Sequence, residues 1–222
     1  MPDVTATRPN ANTYWVIPHK LLAGEYPGDE DPGKAREKIN RFLEVGVRHF
    51  VDLTELGELI PYEAILSAES RVANIAATYQ RFPIRDISVP RDAEYMAEIL
   101  LAIDRLIRKG GAVYVHCRGG VGRTELVVAC WLQEHGRTPD AALGELSAKW
   151  KTVKKSSGQQ SESPETREQV DWVRTGRNAE GVSKTHALRP VPWQHCWGWP
   201  LVTHWVPLWN SRRRALSNRS PT

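Results

Sequence analysis

His116-Cys117-Arg118-Gly119-Gly120-Val121-Gly122-Arg123-Thr124 joins a reactive thiol to an anion-binding turn, and its flanks set the fold around it. The apolar run Ala112-Val113-Tyr114-Val115 precedes it and an apolar helical pattern follows, so the expected order is strand, tight loop, helix. Three of the five residues between Cys117 and Arg123 are glycine. Glycines allow positive φ and let successive N–H groups turn inward, and the helix that follows adds its positive N-terminal end. A loop of this kind suits a dianion.

Residues 116 to 124 fit the pattern H-C-x5-R-[ST]. In this they resemble the signature of the cysteine-dependent protein tyrosine phosphatases, and the spacing elsewhere is similar to the compact dual-specificity branch. The resemblance implies a single-domain α/β fold of the protein tyrosine phosphatase type, working without metal or organic cofactor. It makes Cys117 the nucleophile, since the thiolate is the reactive form of cysteine and is favoured at a helix N-terminus beside cations. Arg123 becomes the substrate clamp: its planar fork matches two phosphoryl oxygens, which a lysine's point charge does less well. Arg118, Gly119, Gly120, Val121, Gly122 and Arg123 then form the phosphate-binding loop. By resemblance alone, His116 supports the thiolate through the loop's hydrogen bonds, and the Thr124 hydroxyl stabilises it and assists the hydrolysis step.

Such chemistry also needs an acid for the leaving phenolate or alkoxide, which the family carries on a loop upstream of the cysteine. Asp86, in Phe82-Pro83-Ile84-Arg85-Asp86-Ile87-Ser88-Val89-Pro90, lies 31 positions before Cys117, just past a strand-like run. The same carboxylate can then activate water against the cysteinyl-phosphate. Asp92, six residues on, stands where it would cap the next helix and ranks below Asp86.

Other reactive-looking residues have plainer readings. Cys130 falls on the apolar face of the next helix and reads as core, and His49 reads as a satisfied, partly buried strand residue. His195-Cys196 repeats the dipeptide, but Val202 stands where an arginine would be needed and no glycine loop follows.

Outward from the signature, strands alternate with helices. Leu21 to Gly28 reads as a first strand closing in a turn. Asp31-Pro32 caps a helix that runs to about Val45, and Val47 to Leu53 is a strand leading into Thr54 to Leu59 and Pro61-Tyr62, a segment that in the family rims the substrate. Tyr79 to Ile84 is the strand before the acid loop. Met96, Ile99, Leu100, Ile103, Leu106 and Ile107 form one face of a helix closed by Gly110-Gly111. A helix from Thr124 to His135 ends at Gly136, Thr138-Pro139 restarts one to about Trp150, and Ser163-Pro164 starts a last one over Glu165 to Arg174. This alternation predicts a largely parallel central sheet flanked by helices, with the cysteine loop at the carboxyl end of a central strand. The expected organisation is a flexible N-terminus over 1–13, a phosphatase domain over 14–176 and a tail over 177–222.

Residues 151 to 162 are polar and read as a surface loop. The following Ser163-Pro164-Glu165-Thr166 and Gln169 resemble a segment that in some related phosphatases places a glutamine near the hydrolytic water; a helix cap with a solvated face is the alternative. The chain departs from the family at Glu125, where glycine is usual. A carboxylate there favours the first turn of the helix but faces an incoming dianion. The tail is also distinct, with Trp193, Trp197, Trp199, Trp205 and Trp209 among Pro192, Pro200 and Pro207, then Arg212-Arg213-Arg214. Its prolines interrupt any regular period, so it is expected to stay disordered outside the core, with weak membrane-interface or partner contact as the alternative.

The 222 residues suit one domain with a substantial core. Three cysteines without repeated spacing form neither a disulfide framework nor a metal pattern, which fits a reducing, cytoplasmic setting. Met1 to Thr13 lacks a basic region followed by an apolar stretch, so no secretory signal is expected, and no apolar run approaches the ~20 residues of a membrane span. The net charge of +4 is uneven: residues 177–222 hold seven Lys or Arg against Glu180, leaving −2 on the rest. The domain therefore lacks the basic stripe that nucleic-acid binding needs. The expected activity is hydrolysis of phosphotyrosine, with phosphoserine and phosphothreonine as further substrates, on phosphorylated protein partners. Arg118 keeps phosphoinositides and RNA 5′-phosphates as alternatives, and Glu125 keeps a pseudophosphatase that binds phosphorylated partners without turnover.

Overall fold

A computed structural model describes residues 6–154 and 163–176. Five strands, β1 (Thr13–Ile17), β2 (Leu21–Gly24), β3 (Val47–Asp52), β4 (Thr78–Arg81) and β5 (Ala112–His116), form one sheet in the order β1-β2-β5-β3-β4. Only the β1–β2 pair is antiparallel, so the sheet is largely parallel as expected, with β5 at its centre. Every residue of β5 is buried, as a strand covered on both faces requires.

The helices are α1 (Pro32–Glu44), α2 (Glu63–Val72), α3 (Ala93–Lys109), α4 (Arg123–Glu134), α5 (Pro139–Trp150) and α6 (Arg167–Thr175). Their starts are written locally. Asp31 accepts from Gly33 N and Lys34 N ahead of Pro32, Asp92 accepts from Tyr95 N, and Thr138 accepts from Ala141 N ahead of Pro139. Asp92 is thus a helix cap, as its position predicted. On α3, Tyr95, Met96, Ile99, Leu100, Ile103 and Leu106 recur at helical spacing and are buried.

Two cores flank the sheet. Val113 and Val115 of β5 join α3, α4, α5 and α6 through Ile99, Leu126, Leu146 and Trp172. Ala112 and Tyr114, pointing the other way, join Phe50 of β3, Phe42 of α1 and Leu66 of α2. Cys130 lies in the first core, and His49 is satisfied by Thr78 Oγ1 at 2.8 Å and Gly110 O at 2.9 Å.

Four boundaries differ from expectation. Leu21–Gly24 is the second strand, because the chain enters through β1, whose Thr13 pairs with Gly24. Ahead of β1, Thr7 and Arg8 are tied down: Arg8 Nη1 donates to Thr13 O at 2.9 Å, and Trp15 Nε1 donates to Thr7 O at 3.1 Å. β4 stops at Arg81, yet Phe82 N and Ile84 N still donate to Asp52 O and Leu53 O, so the chain follows β3 past the ladder and delivers Asp86. The last helix is capped by Thr166, not Ser163, in a capping box closed by Gln169. The tail over 177–222 and most of the 151–162 loop lie outside the described residues.

Candidate active site

The signature loop leaves β5 at its carboxyl end and returns into α4. Two carbonyls of the loop region point outward, since Leu53 N donates to His116 O at 2.9 Å and Tyr26 N donates to Arg118 O at 3.2 Å. Gly120 takes φ of 77°, and a Cβ there would stand 2.5 Å from Gly24 C, so only glycine lets the loop pack on β2. Gly120 N donates to Cys117 Sγ at 3.3 Å, which puts a backbone donor on the sulfur. The N-cap of α4 is Gly122, which has no side chain to occupy the helix's first N–H groups.

Cys117 and Thr124 are buried, and Arg118 is exposed at the loop's edge. The Thr124 hydroxyl has no hydrogen-bond partner among the described residues. His116 is enclosed: its Nε2 lies 2.7 Å from the Tyr62 hydroxyl, its ring stacks on Tyr114, and Tyr26 meets it edge-on. Burial drives the imidazole down to about 4, against the pull of Asp52, so His116 is neutral at physiological pH.

Arg123 begins α4 with 1% of its side chain exposed. Nη1 donates to Glu58 Oε2 at 2.8 Å and Ile84 O at 3.0 Å, while Nη2 reaches Glu58 Oε1 at 2.6 Å and Asp86 Oδ1 at 2.7 Å. Burial opposes the guanidinium charge, but Glu58, Cys117 and Asp86 outweigh it and raise the pKa. Burial likewise raises the Glu58 carboxyl, and the bonds from Arg123 and Glu55 N outweigh it and hold Glu58 below the usual range. Asp86 therefore stands where the sequence expected an acid, on a loop that reaches the same guanidinium as the rim segment.

Gln169 is also brought to the site, in a bridging position rather than on a solvated face. It is buried; its Oε1 accepts from Thr166 N at 3.2 Å and its Nε2 donates to Ser88 O at 3.0 Å, two residues past Asp86. A Cβ on Gly122 would lie 3.0 Å from Gln169 Nε2 and 2.8 Å from Glu165 Oε2, so the turn before α6 rests directly on the signature loop.

Glu125 does not face an incoming dianion. Its carboxyl is buried, hydrogen-bonded through Oε1 to the Tyr14 hydroxyl and, at 2.6 Å, through Oε2 to Ser163 Oγ. Burial pushes it up to about 8, against those two hydrogen bonds, so it is largely protonated at neutral pH and carries little charge to repel phosphate. The repulsion expected from its position is corrected on that ground.

Asp52 and Tyr14 were not singled out from sequence, and Glu58, Tyr62 and Ser163 were read only as members of their segments, with no role of their own. Asp52 carried a signal, as a charged residue closing an apolar strand; it is fully buried and accepts from Thr54 N, Thr54 Oγ1 and the Tyr79 hydroxyl. Among the described residues, no group of three or more His, Cys, Asp or Glu is placed to hold a metal ion, and no helix is long and apolar enough to cross a membrane.

The family described as PTP-SAK, a Swiss Army Knife protein with a DSP-PTPase phosphatase domain, matches residues 10–187, and the chain belongs to it. A putative tyrosine phosphatase, 067L, of Invertebrate iridescent virus 3 is 33% identical over 121 residues, covering 53% of this chain and 44% of that protein. The phosphatidylglycerophosphate phosphatase PTPMT1 of Arabidopsis thaliana is 28% identical over 144 residues, covering 60% of this chain and 39% of that protein. The chain spans less than half the length of these two relatives. The crystal structure of P. aeruginosa TpbA is alike in fold, with a TM-score of 0.55 at 21% identity over 80% of this chain and 92% of that one.

Proposed function

We propose that the chain hydrolyses phosphomonoesters on proteins, phosphotyrosine first, through a cysteinyl-phosphate. The observation that carries this reading is the convergence of Glu58 and Asp86 on Arg123, at the start of the helix that follows the Cys117 loop. The Cys117 thiolate attacks phosphorus, the Sγ–P bond forms, the ester P–O bond breaks, and Asp86 gives its proton to the leaving oxygen. Water then attacks the phosphocysteine while Asp86 takes its proton, and the Sγ–P bond breaks to release inorganic phosphate. A bound dianion takes the place of the Asp86 carboxylate on Arg123 Nη2; freed from the guanidinium, Asp86 takes up a proton from solvent and turns toward the leaving group, ready to donate it. The loop's N–H groups and Arg123 hold the equatorial charge throughout. His116, locked neutral by its aromatic surround, fixes the loop's entry, and the Thr124 hydroxyl is available to the sulfur.

A second reading, a lipid phosphomonoester as substrate, is favoured by exposed Arg118 in the signature loop and by the substrate in the name of the Arabidopsis relative. The test uses full-length chain with EDTA present. Hydrolysis of para-nitrophenyl phosphate, block by vanadate and a radiolabelled phosphocysteine that is lost in Cys117→Ser are the expected results. Activity that appears only with added divalent metal overturns the mechanism. Binding of phosphopeptide without turnover would identify a pseudophosphatase, and a preference for phosphatidylglycerophosphate over phosphotyrosyl peptide would select the lipid reading.

A further inference from the structure

We infer that Glu125 is a positioning residue: by holding Tyr14 and Ser163 together, it seats the turn before α6, and through Gln169 it sets the acid loop against the phosphate loop. The inference rests on the phosphatase reading of the Cys117 site.

The connections run through side chains on four separate segments. Tyr14 comes from β1, Glu125 from the first turn of α4, and Ser163 from the start of the turn that leads into α6. Thr166 and Gln169 close the capping box that fixes where α6 begins. From there Gln169 Nε2 reaches Ser88 O in the acid loop, and the Gln169 and Glu165 side-chain ends lie against Gly122 in the phosphate loop. Asp86 and Arg123, the groups whose spacing governs proton delivery, sit on these same two loops and are themselves 2.7 Å apart. Displacing the turn before α6 therefore changes where Asp86 stands relative to the bound phosphoryl group, with no change in any reacting atom.

The chemistry of the contact explains why a carboxyl serves here. Burial leaves Glu125 protonated at neutral pH, and a carboxylic acid between two hydroxyls can accept on one oxygen and donate from the other. Both of its neighbours are hydroxyls, which can each donate or accept, so the trio is satisfiable without a buried charge. Tyr14 stays protonated too, raised by burial and then by Glu125, with Cys117 adding a smaller push in the same direction. Glycine at position 125, usual in the family, would leave the Tyr14 and Ser163 hydroxyls without this partner.

The test compares phenyl phosphate with para-nitrophenyl phosphate, two substrates of nearly one shape whose leaving groups differ in their need for the acid. Because both are read on the same preparation, the ratio of their kcat/KM values does not depend on how much protein is active. In Glu125→Ala and Ser163→Ala the phenyl-to-nitrophenyl ratio is expected to fall about tenfold, part of the 10²–10⁴-fold that a whole general acid supplies. Glu125→Gln, which keeps an uncharged group with a donor and an acceptor, is expected to restore the ratio. Ser163→Ala and Tyr14→Phe keep the test open if Glu125→Ala does not fold. An unchanged ratio in the folded alanine variants, or a glutamine variant no better than alanine, overturns the inference. If the parent chain turns over neither substrate, it is the phosphatase reading that fails.

Discussion

Arg123 and Glu58 meet at two points, Nη1 to Oε2 at 2.8 Å and Nη2 to Oε1 at 2.6 Å, so the plane of the guanidinium is set by the rim segment between β3 and α2. A bidentate pair of this kind fixes orientation as well as charge. Glu58→Ala frees the fork to turn and leaves a buried cation with weaker compensation. Its expected effect is a rise of about tenfold in KM for para-nitrophenyl phosphate, since an arginine–anion contact is worth roughly 1.5–3 kcal/mol and only part of it is lost. Steady-state kinetics on the variant decide this, and an unchanged KM would mean the fork is held by the Ile84 carbonyl and the loop alone.

Asp86 shares Arg123 Nη2 with Glu58, which places the proposed acid in competition with phosphate for one donor. Asp86→Asn is expected to slow turnover of phenyl phosphate by about 10²–10⁴-fold, the range for a lost general acid. It should at the same time bind inorganic phosphate more tightly, because a neutral amide yields the guanidinium more readily than a carboxylate does. Inhibition constants for phosphate in parent and variant measure the second effect. Weaker phosphate binding in the variant would show that Asp86 orients Arg123 for the ligand instead of competing with it.

Two glycines of the signature loop should respond differently to alanine. Gly120 has φ of 77° and backbone of Gly24 and Glu25 within 2.5–2.7 Å of a would-be Cβ, so neither conformation nor neighbours can adapt. At Gly122 the obstacles are side-chain ends of Glu165 and Gln169 rather than backbone, and φ is −100°. Gly120→Ala is therefore expected to lower Tm by about 5 °C or more, at roughly 2–4 °C per kcal/mol for a chain of this size. Gly122→Ala should stay within about 3 °C of the parent while losing activity as Gln169 is displaced. Thermal melts read beside phosphatase assays separate the two, and equal losses of Tm would show that the turn before α6 cannot yield.

What the sequence made legible was local. β5, the glycine loop and α4 follow one another in the chain, and Asp31-Pro32, Asp92 and Thr138-Pro139 each cap a helix within a few residues of themselves. Asp86 was picked out by its distance from Cys117, and the fold sets its carboxylate 2.7 Å from Arg123 Nη2. β1 was missed because a short antiparallel edge strand leans on a partner it does not announce, although Thr13-Tyr14-Trp15-Val16-Ile17 has the aromatic and β-branched make-up of a strand. α2 was missed because Tyr62 caps it with no side-chain bond. Glu58, Tyr14 and Ser163 act across separations of 65, 111 and 38 residues, and no spacing rule reaches that far. Glu125 was noticed from sequence as a departure from the family pattern, but burial decides its charge, and burial is a property of the packed fold.

That buried charge state gives a pH signature. Glu125 has its folded pKa raised from 4.5 to about 8, so between those values the folded chain holds the proton more tightly than the unfolded chain does. The stability this brings is full below about pH 4.5 and is lost progressively as pH rises to about 8, above which nothing further is lost from this group. Glu125→Gln keeps a neutral group at every pH and escapes that loss. The parent is therefore expected to lose Tm between pH 5 and 8 faster than Glu125→Gln, the gap widening by about 5 °C or more over that span. All other titrating groups are common to both proteins, so their contributions cancel in the difference. Tyr14 remains protonated throughout, so the hydrogen-bond partner on β1 does not change. Melting curves of the two proteins at pH 5, 6, 7 and 8 make the measurement. Parallel curves would place the Glu125 carboxyl in its ordinary range, ionised between its two hydroxyls, and the neutral trio would have to be replaced by a buried carboxylate accepting from both.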